Sequence, residues 1–114
     1  MCSTSDIERA LYCLYDFRGV YALDKLPDRL YNGGYVINTQ TSNLPGEHWI
    51  AIYIRPDRIN VYNPLGIYYH SILVRKLKRM QQPVFYNNKM DQNPFSFLCG
   101  QHCISWLYKQ NNKK

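Results

Sequence analysis

Apolar residues change their spacing several times along this chain, and each change marks an expected element. Ile7, Ala10, Leu11 and Leu14 recur at intervals of three and four, the stripe of one short helix. Ser5-Asp6-Ile7-Glu8 supplies a capping box ahead of it, and the pattern stops near Asp16-Phe17-Arg18-Gly19. Residues 20–32 mix polarity around Pro27 and read as a loop wrapping the domain. Asn32-Gly33-Gly34 is turn chemistry. Tyr35-Val36-Ile37-Asn38 then reads as a first short strand, and residues 39–46 as another loop.

The middle of the chain is more sharply patterned. His48-Trp49-Ile50-Ala51-Ile52-Tyr53-Ile54 is a strand by its β-branched and aromatic content. Arg55-Pro56-Asp57-Arg58 turns it back, and Ile59-Asn60-Val61-Tyr62 returns as its antiparallel partner. Pro64 and Gly66 stop the ladder. In such a hairpin His48 opens one strand and Asn63 closes the other, so the two are expected at the same open end.

From His70 to Met80 the period becomes helical, with Ile72, Leu73 and Leu77 inside and the basic residues outside. Gln81-Gln82-Pro83 ends that helix, and Val84-Phe85-Tyr86 reads as a third main strand. A last helix starts at Cys99, where Cys99, Cys103, Trp106 and Gln110 keep a spacing of three and four. There is no internal repeat and no low-complexity segment.

Composition narrows the class. With 114 residues the chain is expected to be one domain, residues 1–114, able to bury roughly two-thirds of its unfolded surface. Hydrophobic residues at 46% and charged ones at 19% argue for a folded chain rather than a disordered one. No run of 18 apolar residues spans a membrane, and the first residues lack the basic and apolar regions of a signal peptide. Four cysteines are too few and too scattered for a secreted disulfide scaffold, which points to a reducing intracellular compartment. Lys and Arg number 14 against 8 Asp and Glu, a net charge of +6. The cluster Arg75, Lys76, Lys78 and Arg79 is compatible with DNA as a partner, with a solvated helix face as the plain alternative.

Candidate chemistry gathers around Cys99. A cysteine in the first turn of a helix has its thiolate favoured by unpaired N–H groups and the positive end of the helix dipole. His48 is the candidate base, able to take the thiol proton and return it to a leaving amine. Asn63 can accept from the other ring nitrogen and fix the imidazole, as in Cys-His-Asn triads. Gln92 can donate an N–H to a developing oxyanion without carrying charge. Taken singly, each has a plainer reading: a small buried thiol, a strand histidine, a turn asparagine, a surface amide. Two rival sites fit less well. Cys99, His102 and Cys103 with His48 match no common zinc spacing, and Cys99 and Cys103 stand one residue too far apart for a thioredoxin-type pair.

Taken together, His48-Trp49, Tyr62-Asn63-Pro64-Leu65-Gly66, and Gln92 seven residues before Cys99-Gly100 resemble the adenovirus endopeptidase family, adenain, and the related SUMO-specific proteases. The resemblance is good over residues 46–107. It implies an α+β, papain-like cysteine protease fold of the adenain type: a small mixed or antiparallel sheet flanked by helices, with the nucleophile at a helix N-terminus. It further implies a cysteine endopeptidase with a Cys99/His48/Asn63 triad and Gln92 in the oxyanion hole. Gly46, Glu47 and Trp49 would bind substrate, and viral capsid or core precursors would be cleaved after small residues such as glycine. Adenain carries glutamate where Asn63 stands, so the imidazole here is oriented without an added charge.

No cofactor or metal is called for by the residues. The resemblance implies an activating peptide or DNA, without the disulfide tether, because no cysteine lies between Cys13 and Cys99. A monomer acting on protein substrates, in host nucleus, cytoplasm or virion, is the expected setting. An isopeptidase acting on ubiquitin-like tails, or an idle domain binding peptide or nucleic acid, are the alternatives.

Overall fold

The structure, a computed structural model, describes residues 4–38, 49–63, 71–86 and 99–111. Its centre is a five-stranded mixed sheet in the sequential order β1 (Phe17–Ala22), β2 (Gly33–Asn38), β3 (Trp49–Ile54), β4 (Ile59–Tyr62) and β5 (Val84–Tyr86). The pairs β2–β3 and β3–β4 are antiparallel, while the outer pairs β1–β2 and β4–β5 are parallel. Among the described residues three helices accompany it: α1 (Thr4–Leu11), α2 (Ser71–Lys78) and α3 (Cys99–Asn111).

β3 is the strand that both sides of the molecule share. All six of its residues are buried. Because side chains alternate along a strand, Trp49, Ala51 and Tyr53 face one way and join Ile7 and Leu11 of α1 and Cys103 and Leu107 of α3. Ile50, Ile52 and Ile54 face the other way, with Leu73 and Leu77 of α2 and with Leu23 and Leu26. A sheet covered on both faces needs an apolar run rather than alternation, which is why Trp49–Ile54 contains no charge. Each fully buried isoleucine contributes about 1.5–3 kcal/mol relative to exposure.

The expected hairpin is present. Ala51 pairs with Tyr62 and Ile54 with Ile59, and the turn closes with the Arg55 N–H donating to the Arg58 carbonyl at 2.8 Å. Other expectations need correction. Residues 17–22 form β1 and Leu23–Lys25 a 3₁₀ turn, where the sequence suggested a helix end and a loop. The physical reason is non-local. β1 is held by parallel pairing to β2, and its register slips at Gly19, whose φ of +133° makes a bulge that breaks the strand pattern. α1 stops at Leu11, yet Leu14 still packs partly buried against the α1–α3 core from outside the helix. β5 lies beside β4 at the sheet edge, tied down by Gln82 Nε2, which donates to the carbonyls of Arg55 (3.1 Å) and Pro56 (2.8 Å).

Two glycines allow close approach. Gly33 has φ +133°, and a Cβ there would stand 2.2 Å from the Asp16 carbonyl. A Cβ on Gly34 would meet the Leu107 Cδ2 of α3 at 2.9 Å, so a glycine here lets Leu107 pack closely on β2. No helix among the described residues is long and apolar enough to cross a membrane. Gly33→Ala is expected to lower stability by about 2 kcal/mol or more, through φ strain and the backbone clash together. Urea unfolding checks this, and a midpoint within error of the parent would contradict it.

Candidate active site

α3 begins at Cys99 and runs to Asn111. Its inward face carries Cys103, Leu107 and Gln110, all buried, at helical spacing. One turn into the helix the Cys103 thiol donates to the Trp49 carbonyl at 3.4 Å. That contact brings the start of α3 against the start of β3. The far end of the helix is fastened as well. Arg55 Nη2 donates to the Gln110 carbonyl at 3.1 Å, with its guanidinium 4.7 Å above the Tyr53 ring. Asn60 Nδ2 donates to Gln110 Oε1 at 3.4 Å. A cation beside the last carbonyls also suits the negative end of the helix dipole. The Tyr53 hydroxyl in turn donates to the Asp16 carboxylate, linking this end to the segment before β1.

Asn63 follows directly on β4 and is wholly buried. Carrying the β3–β4 register one step past Ala51 and Tyr62 sets Asn63 level with Ile50, beside the open end of the hairpin. The start of β3 and the end of β4 therefore converge with the first turns of α3, which lie far away in sequence. Of the residues singled out from sequence, Cys99 is the first of α3, and Trp49 is the first of β3. Trp49 is 3% exposed, so its side chain belongs to the core shared with α1 and α3. His48, Gln92, Gly46 and Glu47 lie outside the described residues.

The basic cluster sits on α2 and the turn after it, across the sheet from α3. Arg75, Lys78 and Arg79 are exposed. Lys76 is committed to structure, with Nζ donating to the Leu26 carbonyl at 2.8 Å and lying 3.6 Å from Asp28 Oδ1.

The outer face of α3 carries a feature the sequence did not single out. Tyr62 at the end of β4 stacks on Trp106, with ring centroids 5.3 Å apart and planes 7° from parallel. A cavity of 280 Å³ opens beside this stack, lined by Tyr62, His102, Ser105, Trp106 and Lys109. Four of these share one α3 face at intervals of three and four, a period legible in hindsight. What could not be read was that Tyr62 would be its neighbour.

Neither a protein-family model nor a curated protein matches this chain. Among solved structures it is similar to the ASFV pS273R protease, with a TM-score of 0.64 and 16% identity over 97% of this chain. The aligned part is 56% of that protein, so the chain spans little more than half its length. A selenomethionine form of the same protease aligns over 75% of this chain and 37% of that one, with 21% identity and a TM-score of 0.49. At such identities the likeness concerns fold: a mixed sheet with helices, as in a viral protease.

A double-mutant cycle on Tyr62→Ala and Trp106→Ala is expected to give a coupling of about 0.5–1.5 kcal/mol from the stacked rings. Additive thermal or urea destabilisation would mean that the rings contribute no energy beyond their separate burial.

Proposed function

We propose that this chain is a cysteine endopeptidase of the adenain type, hydrolysing peptide bonds through a thioester acyl-enzyme. Cys99 is the nucleophile, His48 the base, Asn63 the residue that orients the imidazole, and Gln92 a donor to the oxyanion. The observation that carries the reading is the convergence just described. The Cys103–Trp49 contact holds the start of α3 against the start of β3, one residue after His48, while β4 ends alongside at buried Asn63. The likeness in fold to a viral protease supports the same reading.

In this scheme His48 takes the Cys99 proton, and the thiolate attacks the scissile carbonyl. Gln92 and the Cys99 backbone N–H then donate to the tetrahedral oxyanion. His48 returns its proton to the leaving amine, and a water activated by the same imidazole cleaves the thioester. The helix dipole at the head of α3 favours the thiolate throughout. Substrates are protein chains cut after small residues such as glycine, viral precursors among them.

Alkylation of the native protein with iodoacetamide tests the central pair, read by mass spectrometry at each cysteine. Cys103 is buried and Cys13 exposed, so these two serve as slow and ordinary references. Cys99 is expected to label selectively below about pH 7, and His48→Ala to remove that selectivity. Labelling that rises only near the ordinary thiol pKa of about 8.5, indifferent to His48, would sink the triad. Asn63→Ala is expected to lower kcat on a glycine-containing peptide by about 10-fold or more while leaving cleavage detectable, because it removes orientation and not the nucleophile. Unchanged kcat would remove Asn63 from the reaction.

A further inference from the structure

A second cavity, of 310 Å³, lies further along α3 and includes Arg55, Arg58, Phe85, Tyr86 and Trp106 in its lining. Trp106 belongs to this cavity and to the one beside His102 and Lys109, so the two meet at its ring. Together they follow α3 from His102, one turn beyond Cys99, to Gln110 near the helix end. At 1.5 Å per residue that path is about 12 Å long, the length of three or four residues of extended chain at about 3.3 Å each.

The charge along the path has one sign. Arg55, Arg58 and Lys109 line it, and no Asp or Glu is among its described lining residues. Arg55 already serves the α3 C-terminus through one nitrogen and stacks over Tyr53, so it acts on the path through its charge. Among the described residues the Arg58 side chain meets Asp57, at 3.3 Å in an exposed pair of the kind that contributes little. Phe85, 56% exposed on edge strand β5, adds an uncovered aromatic surface. Burial raises the Tyr86 phenol above its usual range.

From this geometry we infer that the groove along α3 binds an acidic, aromatic-containing polypeptide segment: the part of a substrate chain that flanks the scissile bond. The inference rests on the proposed protease reading. Carboxylates meet the arginines and Lys109, while an aromatic or apolar side chain packs against Trp106 and Phe85. A polypeptide is favoured over nucleic acid because the groove begins one turn from the candidate nucleophile. Any chain held at Cys99 is thereby delivered to it at high effective concentration. Cationic side chains at such a rim select partners by charge and speed encounter.

The test uses the full chain and three fluorescent probes: a six-residue peptide alternating glutamate with tyrosine, its glutamine counterpart, and a six-nucleotide thymidine oligomer. The glutamate peptide is expected to bind at least about 10-fold more tightly than the glutamine peptide. Arg58→Glu with Lys109→Glu should abolish the difference. Arg58→Gln with Lys109→Gln, a milder pair at exposed positions, should reduce it and guards against a folding defect. Equal binding of the two peptides, or selectivity that survives both pairs, overturns the proposal. So does tighter binding of the oligomer that displaces the glutamate peptide, which would assign the groove to nucleic acid.

Joining the glutamate segment to either flank of a glycine-containing peptide extends the test to turnover. KM is expected to fall about 10-fold on one flank with kcat unchanged. Cleavage with one KM for all peptides overturns the groove and leaves the protease reading standing. Selective binding without any cleavage supports the acidic-segment site and removes the protease reading instead.

Discussion

The two-sided burial of β3 is the constraint on which the rest of this structure depends. A strand with no exposed face must be covered twice, so one layer of helices cannot suffice. α1 and α3 take the side of Trp49, Ala51 and Tyr53, and α2 takes the side of Ile50, Ile52 and Ile54. Water is excluded from both faces of the central ladder, where every backbone group must find its partner in a neighbouring strand. The antiparallel neighbours β2 and β4 supply those partners along β3.

The position of α3 follows from the same constraint. Its packing against β3 is set laterally by Leu107 over Gly34 and lengthwise by contacts at both ends. At the head of the helix a thiol reaches a strand carbonyl. At the tail a guanidinium reaches a helix carbonyl while stacking on Tyr53. A helix fixed in this way holds its first residue in one place relative to the sheet, which is what a nucleophile at that residue would require. The proposed chemistry therefore draws on the core: the contacts that bury Cys103 also fix the start of the helix.

The outer face of α3 obeys different rules. Among the described residues it carries His102, Ser105 and Lys109, and the Tyr62–Trp106 stack packs beside them. Trp106 borders both cavities, and its stack on Tyr62 joins the end of β4 to the middle of the helix. An aromatic pair at the foot of a cationic groove gives a binding segment both a flat surface and a field. The basic residues on α2 lie across the sheet, where Lys76 is already occupied by Leu26 and Asp28. Basic residues are thus distributed over both faces of the sheet.

Much of this was legible in the residues themselves. The run Trp49–Ile54, the turn at Pro56 and the return through Ile59–Tyr62 determined a hairpin, because neighbouring segments with complementary patterns pair locally. The three-and-four spacing from Cys99 determined a helix beginning there, for the same reason of local period. β1 was not legible, since a bulged strand around Gly19 exists only by its parallel pairing with β2, and no local pattern encodes a partner 16 or 17 residues away. Nor could the sequence seat Tyr62 on Trp106 or join the Cys103 thiol to Trp49, residues separated by 44 and 54 positions. The sequence by itself determined which residues form elements and which faces are apolar, because period and side-chain chemistry are local. Tertiary structure alone decided which faces meet, because the closing of long loops is driven by burial shared among many elements at once.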